Sequence, residues 1–261
     1  MKIAYQKIQK MILDRYNDKA RSLPRRKTSD PYQIMVSEIM LQQTQVDRVI
    51  PKYLHFLELF PTLQSLADAD KTKLLTARSG LGYNSRALNL QKAAQAIVHE
   101  HKNTFPQTKE ELIKLPGIGP YTAGAICAFA YNQDVTVIDI NIKRVLIHLL
   151  HLDPDISPKD LEKIVADILP HWQSRTRYNA LMDYGALVLT SKKTGIKSPT
   201  QSKFQGSARQ VRGNLIKHLT KFGPIAIDEA KQKFYHNNFE KIIEKMQQQG
   251  IIQIENQIII L

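Results

Sequence analysis

One cysteine, Cys127, stands in the whole chain, which excludes intramolecular disulfides and metal clusters held by cysteine alone. It lies within the apolar run Ala125-Ile-Cys-Ala-Phe-Ala130, where a small core residue is expected rather than a nucleophile. Long hydrophobic runs are also missing. None approaches the roughly 20 residues that span a bilayer, and the opening Met-Lys-Ile-Ala-Tyr-Gln-Lys has no signal-peptide core. A cytoplasmic protein with no membrane partner is therefore expected. Before residue 250 there is little of the apolar–polar alternation that marks strands, which leaves an all-α main body. Acidic residues vanish between 191 and 221, a stretch holding Lys192, Lys193, Lys197, Lys203, Arg209, Arg212, Lys217 and Lys221.

What is present points the same way. The 261 residues are 43% apolar, enough for one large domain or two modest ones, and the formal charge is +13. A surplus of that size favours a polyanionic partner. The most informative stretch is Leu115-Pro-Gly-Ile-Gly-Pro-Tyr-Thr-Ala-Gly124, followed by Asp139-Ile-Asn-Ile-Lys-Arg144. Gly117 and Gly119 allow a tight turn, and the apolar run after Tyr121 reads as a helix beginning there. The amides and dipole of such a helix start suit a phosphate. Most Gly-x-Gly pairs are only turns, so the pair means little by itself.

Other helix starts are legible from chemistry close in the chain. Asp30-Pro-Tyr, Thr62, Thr108 and Ser157-Pro-Lys-Asp160 all place capping residues or an early proline ahead of apolar periodicity. Glu38 falls between apolar neighbours, a setting that raises a carboxyl's pKa so that it can hold a proton near neutrality; an exposed glutamate is the plainer alternative. Asp139 reads from its chemistry as a helix N-cap, with a carboxylate held beside a pocket as the functional alternative. Tyr83, in the turn Gly80-Leu-Gly-Tyr-Asn84, is either a stacking wedge or a core cap. Arg21-Ser-Leu-Pro-Arg-Arg-Lys27 is a basic run, and Thr190 to Gln205 reads as a loop that crosses a phosphate backbone or links domains. Helices over 207–222, 226–234 and 239–249, then two short strands around a Glu-Asn turn, suggest a small winged-helix unit. It either binds DNA or covers the main domain.

In order, Asp30-Pro-Tyr, Ser37-Glu-Ile-Met-Leu-Gln-Gln-Thr-Gln-Val46, Gly80-Leu-Gly-Tyr83, Arg86-Ala-Leu-Asn-Leu90, the Leu115–Gly124 stretch and Asp139–Arg144 resemble the motifs of MutY-like adenine DNA glycosylases, of the helix-hairpin-helix superfamily that includes endonuclease III. The resemblance covers roughly residues 20 to 190. It implies a mainly α fold with two helical subdomains in a glycosylase domain over 1–190, then a basic linker over 191–206 and the winged-helix-like unit over 207–261. It implies excision of a mispaired base, adenine first, from double-stranded DNA by a monomer among bacterial genomic DNA; a thymine or uracil mismatch glycosylase and a non-catalytic DNA-binding module are the alternatives.

By the same resemblance, Asp139 is the catalytic aspartate that stabilises charge on the sugar, and Glu38 is the acid that protonates the base. Asn141 and Tyr121 orient the two carboxylates. Tyr121 also stands where bifunctional relatives carry a lysine nucleophile, which implies base release without strand cleavage. Gln42, Gln43, Tyr83, Gly117, Gly119, Arg26, Lys143 and Arg144 are expected to face DNA. No organic cofactor is implied, only a monovalent cation at residues 115–121. Three departures stand out. The four cysteines that usually hold an iron–sulfur cluster are absent after Tyr184-Gly-Ala-Leu-Val-Leu-Thr190, and the tail has the wrong length and pattern for the domain that reads 8-oxoguanine. Arg25 and Ile140 replace the usual tryptophan and glycine.

Overall fold

The computed structural model describes residues 2–77, 84–168, 173–196 and 203–261. Tyr83 and Lys197 lie outside the described residues, as does the turn over 80–83. In chain order the helices are α1 (Lys2–Lys19), α2 (Pro31–Leu41), α3 (Val46–Leu59), α4 (Leu63–Ala67), α5 (Lys71–Ala77), α6 (Ser85–His99), α7 (Lys109–Ile113), α8 (Pro120–Tyr131), α9 (Ile140–Leu150), α10 (Pro158–Ile168), α11 (Ser174–Leu187), α12 (Ser191–Thr194), α13 (Ala208–Phe222), α14 (Ile227–Lys233) and α15 (Phe239–Gln248). Three short strands complete the set, β1 (Ile225–Ala226), β2 (Gln253–Glu255) and β3 (Ile258–Ile260).

The helix starts follow the expected chemistry. Asp30 Oδ1 accepts from the Tyr32 amide at 2.9 Å, and Ser157 Oγ accepts from Asp160 N at 3.1 Å. Thr62 and Ser65 form a reciprocal capping box, and Thr108 accepts from Glu111 N. One expectation needs revision: the 190–205 stretch, read as loop, contains the single turn of α12, closed by Gly195 in the left-handed region.

The chain forms two compact units, 1–35 with 107–114 and 118–200, and 36–106 with 115–117 and 201–261. In the first, α8 is buried from Thr122 to Ala130, so it is a central helix rather than an amphipathic one. Around it α9 and α11 pack together, and α1 lies on α10 and α11. In the second, α4 packs on α6 and α3 on α5, with the Phe56 and Phe60 rings 4.8 Å apart.

The C-terminal part of the second unit has winged-helix order, α13-β1-α14-α15-β2-β3, with a sheet ordered β1-β3-β2. Strand β1, which escapes notice in the sequence, pairs Ile225 with Ile259, 34 positions further along the chain. The hairpin turn falls on Asn256-Gln257, both at positive φ, one residue later than expected, because Glu255 is already paired with Ile258.

Candidate active site

Asp139 is placed from both sides. The segment before it, Gln133–Ile138, has no regular structure and is clamped by the buried Tyr178 of α11. The Tyr178 hydroxyl donates to Val135 O at 2.7 Å and accepts from Val137 N at 3.0 Å, and burial pushes its pKa up. Asp139 then caps α9: Oδ1 accepts from the Ile142 amide at 2.7 Å and Oδ2 from Asn141 Nδ2 at 2.8 Å. Asn141 Oδ1 in turn accepts from Arg144 Nη1 at 3.1 Å. The capping reading of Asp139 holds: the half-buried carboxylate is fixed by the Ile142 amide and by Asn141.

The hairpin between α7 and α8 turns at Gly117, whose φ of +78° favours glycine and whose added Cβ would sit 2.7 Å from Asn89 Cβ. Gly119 differs. Its φ of −88° and ψ of 174° suit any residue, and an added Cβ would meet nothing within 4 Å. Among the described residues nothing demands glycine there. Pro120 fills the first helical position, where its missing N–H costs nothing, and the half-buried Tyr121 follows it in the first turn of α8.

Glu38 lies in α2 at 4% exposure, beside Ser37 at 2%, so the plainer reading of an exposed glutamate is corrected. Where α2 ends, Arg86 of α6 donates Nη1 to Gln42 O at 2.6 Å. Gln43 turns the chain at φ +57° and is exposed, whereas Gln42 is half-buried. Arg86 stood in a quoted motif without an assigned role, because its task is to hold a backbone carbonyl 44 positions away.

The family pattern of HhH-GPD superfamily base excision DNA repair proteins matches residues 36–171. The chain belongs to this superfamily. It is 41% identical over 180 residues to an adenine DNA glycosylase of Buchnera aphidicola subsp. Baizongia pistaciae, covering 68% of this chain but only 51% of that protein. It therefore spans about half that relative's length. Against the adenine DNA glycosylase of Mycolicibacterium smegmatis it is 35% identical over 227 residues, 78% of each chain. The fold is shared with a thermostable thymine-DNA glycosylase (TM-score 0.67, 24% identity, 73% of this chain and 90% of that one). It is shared also with endonuclease III in a non-covalent DNA complex (TM-score 0.66, 19% identity, 85% and 96%).

In this HhH-GPD protein two arginines expected to face DNA are internal instead. Arg26 pairs with Asp183 through Nη2–Oδ1 at 2.7 Å and Nη1–Oδ2 at 2.8 Å, and also donates to the carbonyls of Arg21 and Asn179. Burial would push the Asp183 carboxyl up, but hydrogen bonds from Arg26 and Arg21 outweigh it and hold the carboxyl below its usual value. Arg144, at 4% exposure, donates to Gly185 O at 3.1 Å and Ile196 O at 3.2 Å besides Asn141. Burial lowers its pKa while the charge of Asp139 opposes that fall. A Cβ on Gly185 would lie 2.6 Å from Asn141 O, so glycine lets α11 approach the start of α9. Lys143 remains half-buried beside them.

Cys127 is buried in α8 with its thiol 3.5 Å from Gln107 O, and burial, with Glu110 adding, pushes its pKa up to about 11. One such thiol does not fit the four-cysteine set of an iron–sulfur cluster. Among the described residues no group of three His, Cys, Asp or Glu side chains could hold a metal ion, and no helix is long and apolar enough to cross a membrane.

Proposed function

We propose that this chain is a monofunctional DNA glycosylase that hydrolyses the N-glycosidic bond of a mispaired adenine in double-stranded DNA. The observation that carries the reading is Asp139: a carboxylate held on both oxygens by the Ile142 amide and Asn141, in a chain similar to adenine DNA glycosylases. An enzyme that attacks this bond takes the nucleotide out of the stack and must then stabilise charge on the sugar. As the bond from the base nitrogen to C1′ breaks, its electron pair leaves with the base, which takes a proton from Glu38. Positive charge on the sugar is stabilised by Asp139, and water then adds at C1′ and gives up a proton to the Glu38 carboxylate left by the first step. Burial of Glu38 supports its part, since desolvation favours the neutral, proton-bearing carboxyl.

With Tyr121 where a lysine would form a Schiff base, borohydride should trap no covalent complex. Gly119 and the start of α8 take a backbone phosphate, with Gln42, Gln43 and Lys143 on the same DNA. The monovalent cation at residues 115–121 belongs to this reading; replacing potassium by tetramethylammonium at constant ionic strength should weaken DNA binding. The protein acts as a monomer on genomic DNA. The deciding experiment is single-turnover base release from duplexes carrying each mispair. Adenine release that is lost in Asp139→Asn supports the reading, release of thymine or uracil moves the substrate, and no release of any base by the wild type overturns the enzyme.

A further inference from the structure

The winged-helix part distributes its charge in an unusual way. In a helix-turn-helix the second helix of the motif enters the DNA groove, and here that helix would be α15. Its exposed face alternates Glu240, Lys241, Glu244 and Lys245, and Glu240 is engaged by Lys231 of α14 at 2.5 Å. The turn of the wing, Glu255-Asn256-Gln257, has no cation. Neither element offers a duplex groove a positive surface. On α13, by contrast, no acidic residue accompanies the cations; Lys217 and Lys221, one helical turn apart, are both exposed.

Two rings of this part stand in solvent. Phe222 is 67% exposed at the end of α13, and Tyr235 is 78% exposed just after α14. The rings of Phe222, His218 and Phe234 form a continuous row, with His218 5.2 Å from Phe222 and 5.9 Å from Phe234. Lys221 Nζ lies 5.0 Å from the centre of the Phe222 ring. Leaving two aromatic rings in water forgoes the stabilisation of burying them. Gly213, also exposed on α13, has open space where its Cβ would be, so nothing among the described residues explains a residue that is unfavourable in a helix interior.

Cations in line with exposed rings are the features that hold a nucleic acid strand whose bases are unstacked: phosphates on the lysines, base faces on the aromatics. We propose that the C-terminal half of α13, with Tyr235, is a second nucleic-acid site that binds a single-stranded DNA segment, its backbone on Lys217 and Lys221 and a base against Phe222 or Tyr235. The proposal extends the DNA reading above but does not need the chemistry of base release.

The test is fluorescence anisotropy of the full chain with a labelled 12-nucleotide single strand and, separately, with a blunt duplex. Phe222→Ala/Tyr235→Ala should weaken single-strand binding about fivefold or more, with the salt dependence kept and duplex binding changed less. Lys217→Ala/Lys221→Ala should lower the salt slope by about 1.4, two single-strand phosphates' worth, and Lys217→Arg/Lys221→Arg should restore it. Single-strand binding that is undetectable in the wild type, or unchanged in both variants, overturns the proposal, as does equal weakening on duplex and single strand. Tight single-strand binding by a wild type that releases no base overturns the glycosylase reading alone. Base release with variant-insensitive single-strand binding overturns this site alone.

Discussion

At the scale of single residues, Asp139 caps α9 and is proposed to stabilise charge on the sugar, two jobs that substitution can separate. Its Oδ1 caps α9 through the Ile142 amide. Asparagine caps nearly as well as aspartate, whereas alanine loses the cap at a cost of about 1 kcal/mol. Asp139→Asn should therefore melt close to the wild type while base release is lost and DNA affinity is nearly kept; Asp139→Ala should lose base release and melt lower. Normal excision by Asp139→Asn would leave the carboxylate with only its capping role. Tyr178 is the opposite case, a residue without a charge in the reaction whose hydroxyl holds the segment leading into Asp139 at two points. Tyr178→Phe leaves the Val137 amide and Val135 carbonyl without that partner, an expected loss of about 1–3 kcal/mol by denaturant titration. Single-turnover excision should slow as well, because the segment carrying Asp139 is loosened.

At the scale of elements, the hairpin offers a comparison between two glycines two residues apart. Gly117 is needed for its own backbone: φ of +78° and Asn89 leave no place for a Cβ, so Gly117→Ala should destabilise the protein by more than about 1 kcal/mol. Gly119→Ala meets neither obstacle, so its melting temperature should hold or rise slightly while DNA affinity falls, since the new methyl projects into the space assigned to a phosphate. Unchanged affinity would remove the hairpin from the interface. Local chemistry explains why helix starts were readable: Asp30, Thr62, Thr108 and Ser157 cap amides two or three positions away. Arg26 and Arg144 were misplaced for the converse reason. Their partners, Asp183, Gly185 and Ile196, are distant in the chain, and a basic residue beside a motif looks alike in sequence whether it turns outward or inward. Strand β1 and Tyr178 were missed because a two-residue strand and a clamping hydroxyl acquire meaning only from a remote partner.

The Arg26–Asp183–Arg21 group ties residues 21–26 to α11 and carries its own pH dependence. Because the folded Asp183 carboxyl is held below the ordinary value near 4, its contribution is complete at neutral pH. That contribution shrinks as pH falls below about 4 and is gone once pH has passed through the folded-state value. Asp183→Asn should cost about 3 kcal/mol at pH 7, because two guanidinium groups lose their shared counter-charge. The difference from the wild type should narrow in melts taken below pH 4; a gap that stays constant down to pH 2 would show that the carboxylate's charge is not what stabilises the fold.

For the whole molecule, the surplus of +13 acts at a longer range than any one contact. Part of the positive charge is committed inside, with Arg21 and Arg26 on Asp183 and Arg144 on Asn141 and two carbonyls. Many of the remaining cations are exposed, including Lys217 and Lys221. Charge of this kind speeds encounter with a polyanion, and it is screened as the Debye length shrinks to about 10 Å at 0.1 M salt. Association with duplex DNA should accordingly slow steeply between 50 and 200 mM salt, and log K should fall linearly with log salt as counterions are released. The excision step inside a saturated complex should respond little, since Glu38 and Asp139, the groups proposed to act on the nucleotide, are buried and half-buried and are screened far less. Stopped-flow association and single-turnover excision over the same salt series separate the two. A flat association rate would mean that the net charge is decoration rather than a steering field, and a single-turnover rate that fell in parallel with binding would mean that the reacting groups are as open to solvent as the surface lysines.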